Sequence, residues 1–173
     1  AVAIFSYFYI NSVLKSEVIM HLESTAQSME RSVKTVLSDK KEKLEIAATH
    51  DQLSMDELQE ILDISPEFSE LFILDFYGRV STSTAPALVG LDKSSCPCYL
   101  EGRHATHVKS AFYSDELQDN AIAIATPHAD GVLVALLRLD FFNEIVSDRT
   151  GLGKTGEGLM AFRGEDGEPV FFT

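Results

Sequence analysis

Between Asn11 and Thr49 the chain has neither glycine nor proline, and apolar or small residues recur at Leu22, Ala26, Met29, Val33 and Val36. Those steps of four and three place them on one face of an α-helix, and Lys40, Lys43 and Ala47 continue the spacing in largely polar form. The pattern predicts one long helix over residues 11–50, of a length that suits a stalk or a dimer seam. Ahead of it, residues 1–10 form an uncharged apolar run. Spanning a bilayer takes about 20 such residues, so this run alone does not cross one. It reads either as the buried start of the helix or as the end of a transmembrane helix that begins upstream. The second reading is preferred, because the run is apolar on every side, carries Tyr7 and Tyr9, and meets its first charge only at Lys15.

A second, shorter helix is announced by its start. Ser54 followed by Glu57 is a capping box, and Leu53 and Leu58 flank it as a hydrophobic staple. Pro66 ends this helix by Ile64, since the residue before a proline is biased away from helical geometry. Beyond Pro66 the period changes to that of strands. Leu71–Asp75 and Arg79–Ser83 form a hairpin across Phe76-Tyr77-Gly78, and a loop with Pro86 and Gly90 leads to a short helix around Pro97–Glu101. Strands follow near His107–Tyr113, Ala121–Thr126 and Val132–Leu139, the last two joined by Ala129-Asp130-Gly131. Asp140 is then placed to cap a helix from Phe141 to about Arg149. Helices followed by hairpin-linked strands describe an α+β domain with an antiparallel sheet. Leu159–Val170 repeats the pattern of Leu71–Val80, an apolar strand, a turn ending in glycine and a β-prone return.

Charge changes the picture. The 173 residues include 14 Lys and Arg against 27 Asp and Glu, a net charge of −13, with a pI near 4.7. Residues 1–50 are balanced, with six basic and six acidic side chains, so the whole excess of acid lies in residues 51–173. Duplex binding needs clustered lysine and arginine to release counterions, so nucleic acid is excluded as a partner. The GxSxG, HExxH and CxxCH patterns of nucleophilic hydrolysis, zinc proteolysis and c-type haem are all missing. For this segment a binding module without a cofactor is expected, whether or not the parent chain is an enzyme.

Taken in order, Leu71-Phe72-Ile73-Leu74-Asp75-Phe76-Tyr77-Gly78-Arg79-Val80-Ser81-Thr82-Ser83, Val89-Gly90-Leu91-Asp92, Tyr99-Leu100, Ala125-Thr126-Pro127-His128-Ala129-Asp130-Gly131 and Leu139-Asp140 resemble the double Cache sensor domain. Thr150–Glu157 is similar to the link entering that family's second module. The resemblance implies a stalk helix over residues 11–50 and a PAS-like sensor module over 51–149. It also implies the first hairpin of a second module over 150–173. Such domains are the extracytoplasmic inputs of bacterial and archaeal histidine kinases, chemoreceptors and diguanylate cyclases, with a sensor histidine kinase the first choice here. The implied partners are a small-molecule ligand, a second copy met through the stalk, and the inner membrane, with the domain on its periplasmic side. In amino-acid-binding members an Arg-x-Trp-Tyr stretch grips the ligand carboxylate and a late Asp takes the ammonium. Tyr99 and Asp140 match that pattern, but Cys96-Pro97-Cys98 stands where the arginine clamp would be, and the chain has no Trp.

The candidate ligand-binding residues are therefore Tyr99, Arg103, Tyr113, Asp115 and Asp140. Arg103 offers a guanidinium that can pair with a carboxylate in bidentate fashion, and Asp140 serves as an ammonium acceptor, a helix cap or both. Lys109 and Asp115 also read as a solvated rim. Cys96, Cys98, His104 and His107 are two thiols and two imidazoles within twelve residues, a zinc donor set with unusually tight CxC spacing. The same cysteines also read as a redox-labile pair or as inert buried thiols. A metal- or redox-responsive module and a ligand-free dimerisation domain are thus the alternatives to small-molecule sensing. Gly151–Thr155 mimics the end of a phosphate-binding loop but lacks its leading glycine, where Asp148 stands, and reads as a link.

Overall fold

The computed structural model describes residues 2–114, 117–142, 145, 147, 160–163 and 169–172. Helix α1, Val2–Ala47, runs unbroken for 46 residues, about 70 Å at 1.5 Å per residue. The apolar run and the stalk are thus one continuous helix. No helix of the described residues is long and apolar enough to cross a membrane. Along α1 the surroundings change. Val18, Ile19, Met20 and Leu22 are exposed, whereas Val33, Val36 and Leu37 pack on the core and Leu44 and Ala47 are buried in it. The stripe read from the sequence meets the sheet from Val33 onward.

Helix α2, Met55–Ile64, starts as its sequence requires. The Glu57 N–H donates to Ser54 Oγ at 3.3 Å, and the Ser54 N–H donates to the Glu57 carboxylate at 2.8 Å, so each satisfies an orphan donor of the other. Leu53 and Leu58 are both buried, closing the staple. The Ser65 N–H turns back on the Ile61 and Leu62 carbonyls, just ahead of Pro66.

Strands β1 (Phe68–Leu74), β2 (Val80–Ser83), β3 (His107–Ser114), β4 (Asp119–His128) and β5 (Gly131–Arg138) form one antiparallel sheet in the order β2-β1-β5-β4-β3. The first strand lies beside the last, with Phe72 opposite Val134 and Leu74 opposite Val132. Helix α3, Pro97–Gly102, precedes β3, its proline in the first turn where a missing N–H costs nothing. The terminal hairpin forms as a separate pair, β6 (Met160–Arg163) against β7 (Pro169–Phe172).

Alternation along the strands assigns each side chain to a face. Leu71, Ile73, Ile122, Ile124, Leu133 and Leu137 share a core with Leu44 of α1 and Leu58 of α2. Phe72, Leu74, Ala123, Ala125, Val132 and Val134 share another with Cys98 and Tyr99 of α3. In β4 the isoleucines go to the first face and the alanines to the second. A small-residue floor lets α3 lie close: a Cβ on Gly102 would fall 2.7 Å from Ala125 Cβ.

The segment after β5 departs from expectation. Asp140 lies inside a 3₁₀ turn, Leu139–Phe142, instead of at a helix cap, and its carboxylate accepts from Arg138 Nη2 at 2.6 Å. Most of the helix expected over 141–149 falls outside the described residues.

Candidate functional site

Two clusters hold most of the polar chemistry, at opposite ends of β5. At the first, α3 is seated by the Tyr99 hydroxyl, which donates to the Phe76 carbonyl at 2.6 Å while the ring stays buried. Arg103 lies over that ring, its guanidinium carbon 5.7 Å from the centroid, and its Nε donates to His104 Nε2 at 3.0 Å. Cys96 and Cys98 are joined in a disulfide with Cα atoms 5.2 Å apart. Sulfurs bonded to each other offer no thiolates to a metal, and His104 is engaged by Arg103. No group of three or more metal-ligating side chains occurs among the described residues.

The second cluster lies where α1 meets the start of β1 and the end of β5. Lys40 and Glu67 are both buried and form an ion pair at 2.5 Å. Lys40 Nζ also reaches Asp39 Oδ2 at 2.9 Å and sits 5.4 Å from the centre of the Phe141 ring, and Lys43 donates to Glu67 at 3.3 Å. Burial pushes the Glu67 carboxyl up, but hydrogen bonds and charge from Lys40 and Lys43 outweigh it and hold the group below the ordinary glutamate range. Burial likewise pushes Lys40 down, and its bonds to Glu67 and Asp39 more than reverse this, leaving it above the ordinary lysine value. Both groups are therefore charged at neutral pH.

Beside this pair opens a groove of about 340 Å³ lined by Pro66, Glu67, Arg138, Asp140 and Phe141. Asp140, singled out from the sequence, is thus in a groove, with Arg138 as a partner that the sequence did not flag. Tyr113 is exposed near the same end of the sheet, opposite Asn120 and next to the Ala121–Arg138 pair. Asp115 lies outside the described residues. Tyr99 and Arg103 are far from this groove, because α3 sits over the start of β5; six strand residues, about 20 Å, intervene. The structure therefore brings Asp140 and Arg138 together, and Tyr99 and Arg103 together, but not the two pairs with each other. A second groove, of about 430 Å³ and largely apolar, runs between the end of α1 and α2 past Ile46, Leu53, Ile61 and Ile64.

Sequence reasoning also missed His128. It is buried, its Nδ1 accepts the Asp130 N–H at 3.1 Å, and its Nε2 meets the His50 carbonyl at 2.9 Å. With Nδ1 accepting, Nε2 carries the proton and donates, so the ring links the end of α1 to the β4–β5 turn. Its partners are backbone atoms, which no residue pattern marks.

The long first helix and the five-stranded antiparallel sheet match what the sequence resemblance implied. The fold is α+β and PAS-like. No family model and no curated protein matches the chain. Among solved structures it is similar to rpHK1S-Z16, the extracellular domain of a protein assigned as a histidine kinase, at 19% identity and a TM-score of 0.47 over 69% of this chain and 54% of that one. It is also similar to an extracellular ligand binding receptor from Desulfohalobium retbaense (18%, 0.47; 76% of this chain, 26% of that one). A third is the ligand-binding domain of the Campylobacter jejuni chemoreceptor Tlp3, in complex with L-norvaline (11%, 0.48; 93% and 85%). The chain spans about half the length of the first and a quarter of the second. Around the PAS-like sheet, the charged groove at the end of β5 is the candidate site, because Arg138 and Asp140 pair on its wall beside Glu67, which holds Lys40 of α1.

Proposed function

We propose that the chain is the extracytoplasmic small-molecule-sensing input of a transmembrane signalling receptor, a sensor histidine kinase before a chemoreceptor or diguanylate cyclase. In this reading residues 51–149 are the sensor module and 150–173 open a second one. The stalk pairs with a second copy and continues toward the inner membrane. A stalk whose outer half exposes Val18, Ile19, Met20 and Leu22 favours such pairing.

One observation carries the proposal: Glu67 and Phe141 line the groove and also hold Lys40 of the stalk. A ligand there touches the same two side chains that fix α1 against the sheet. The groove wall presents a guanidinium and a carboxylate that bond each other. A small dipolar molecule can replace that internal pair with two pairs of its own. Its effect on the stalk equals its difference in affinity between the two seatings of α1 and nothing more.

The test is a thermal-shift screen of the chain against amino acids, carboxylates and amines, repeated with Arg138→Ala and Asp140→Asn. A compound that raises the melting temperature of the parent chain by several degrees should lose that effect in both variants. Retention of the full shift in both would remove the groove from the proposal, and Tyr99→Phe serves as the control at the other end of β5.

A further inference from the structure

The Cys96–Cys98 bond has no part in the groove, and it is poorly explained as a staple. Cross-linking stabilises chiefly by restricting the unfolded chain, a gain that grows with the length of the closed loop. Here the cysteines are two positions apart, so the gain by that route is small. Two other features point to chemistry. The two residues differ in burial, Cys98 being buried while Cys96 is partly exposed. The bond also sits at the start of α3: Cys96 is the N-cap residue, its Sγ accepts the Cys98 N–H at 3.4 Å, and its carbonyl accepts from Tyr99 and Leu100 at 2.9 and 3.0 Å. Two contacts then transmit the seating of α3 to the sheet. Tyr99 holds the β1–β2 turn at Phe76, and Gly102 lies against Ala125 and Val132 with no room for a Cβ.

We propose that Cys96–Cys98 is a thiol–disulfide exchange site through which a dithiol reductant sets the seating of α3. A thiolate of the dithiol attacks the sulfur of Cys96, the less buried residue of the two. The S–S bond breaks, and Cys98 leaves as a thiolate and takes a proton. The second thiol of the reductant then attacks the mixed disulfide, freeing Cys96 as a thiol and leaving the reductant oxidised to its own disulfide. Two electrons and two protons pass to the protein. The helix keeps Pro97 but loses the covalent constraint on its first turn, so its hydrogen bonds to Cys96 open more often. This input is separate from the Arg138–Asp140 groove and does not depend on it.

The experiment treats the folded chain, purified without reductant, with dithiothreitol and then with iodoacetamide. The expected result is no adduct before reduction and two per chain after brief reduction, and none again when oxidised dithiothreitol re-forms the bond before iodoacetamide is added. Amide exchange at Tyr99 to Arg103 should rise tenfold or more on reduction, while that of β4 stays within a factor of two. The Cys96→Ser/Cys98→Ser chain should exchange like the reduced protein and ignore dithiothreitol. Three results would each overturn the proposal: adducts on the untreated chain, reduction only in denaturant, or an α3 exchange rate that reduction leaves unchanged. All three are read on the unsubstituted protein, so they decide the matter even if the serine variant fails to fold.

Discussion

The two faces of the sheet are built from neighbouring residues of the same strands, yet they are held by different means. The α1–α2 face is filled by Leu44, Leu58, Ile122 and Ile124, fully or almost fully buried, each worth about 1.5–3 kcal/mol of transfer free energy. At its edge this apolar packing gives way to the Lys40–Glu67 pair. The α3 face has an alanine floor, a glycine in close approach and one phenol hydrogen bond. The first arrangement seats a long helix by apolar packing with an ion pair at its edge. The second clamps a six-residue helix through shape. An ionic attachment is sensitive to nearby charge and geometry, whereas close packing is sensitive to volume.

The largest effect is expected where the ionic attachment is broken. Lys40→Met leaves Glu67 buried with its main partner gone, a loss of about 3–5 kcal/mol for such pairs, toward the lower end because Lys43 stays within 3.3 Å. Urea denaturation should show it, and Lys40→Met with Glu67→Met should recover most of it; no recovery would mean that Lys40 acts through packing. Next comes the α3 face. Gly102→Val drives a side chain into Ala125 and Val132, an overpacking cost of about 1–3 kcal/mol, read as a lower melting temperature and partly relieved by Ala125→Gly. Tyr99→Phe removes one hydrogen bond, worth about 0.5–1.5 kcal/mol, without changing volume. A loss well above that range would show that the phenol, and not the packing, holds α3.

The smallest effect is a slope with pH. The Glu67 carboxyl is depressed, so its contribution is whole above the ordinary value of 4.5 and is lost as pH falls through its lower folded value. Lys40 is raised, so its contribution is whole below 10.5 and is lost as pH rises through its higher folded value. Stability attributable to the pair should be flat between those limits and decline outside both. The Lys40→Met/Glu67→Met chain should lose both declines, which calorimetry across pH can check. Gly102→Val should keep them, separating the two faces.

The capping box at Ser54, the staple of Leu53 and Leu58, the turn at Gly78 and the alternation in β4 were all legible, because each is a contact between near neighbours in sequence. Asp140 stood out in the sequence, but not as the partner of Arg138. In place of the expected cap, Asp140 lies inside the 3₁₀ turn Leu139–Phe142. Lys40 appeared in the helical stripe only as a polar continuation. Nothing in its local sequence says that Glu67, 27 positions on, arrives beside it. His128 was passed over since a backbone carbonyl and N–H are its partners.

What the chain determined by itself was period and punctuation: where helices and strands run, which residues share a face, and where caps and turns interrupt. Those features rest on interactions within a few residues, and local spacing encodes them fully. The tertiary structure decided which strand ends meet, and so which charges pair. Tyr99 and Asp140, near each other in the list of candidates, fell at opposite ends of β5, while Lys40, Glu67 and Phe141, far apart in sequence, met at one. The reason is physical: once backbone hydrogen bonding sets the register, a side chain's partners are whatever the neighbouring strands and the stalk deliver to that end of the sheet.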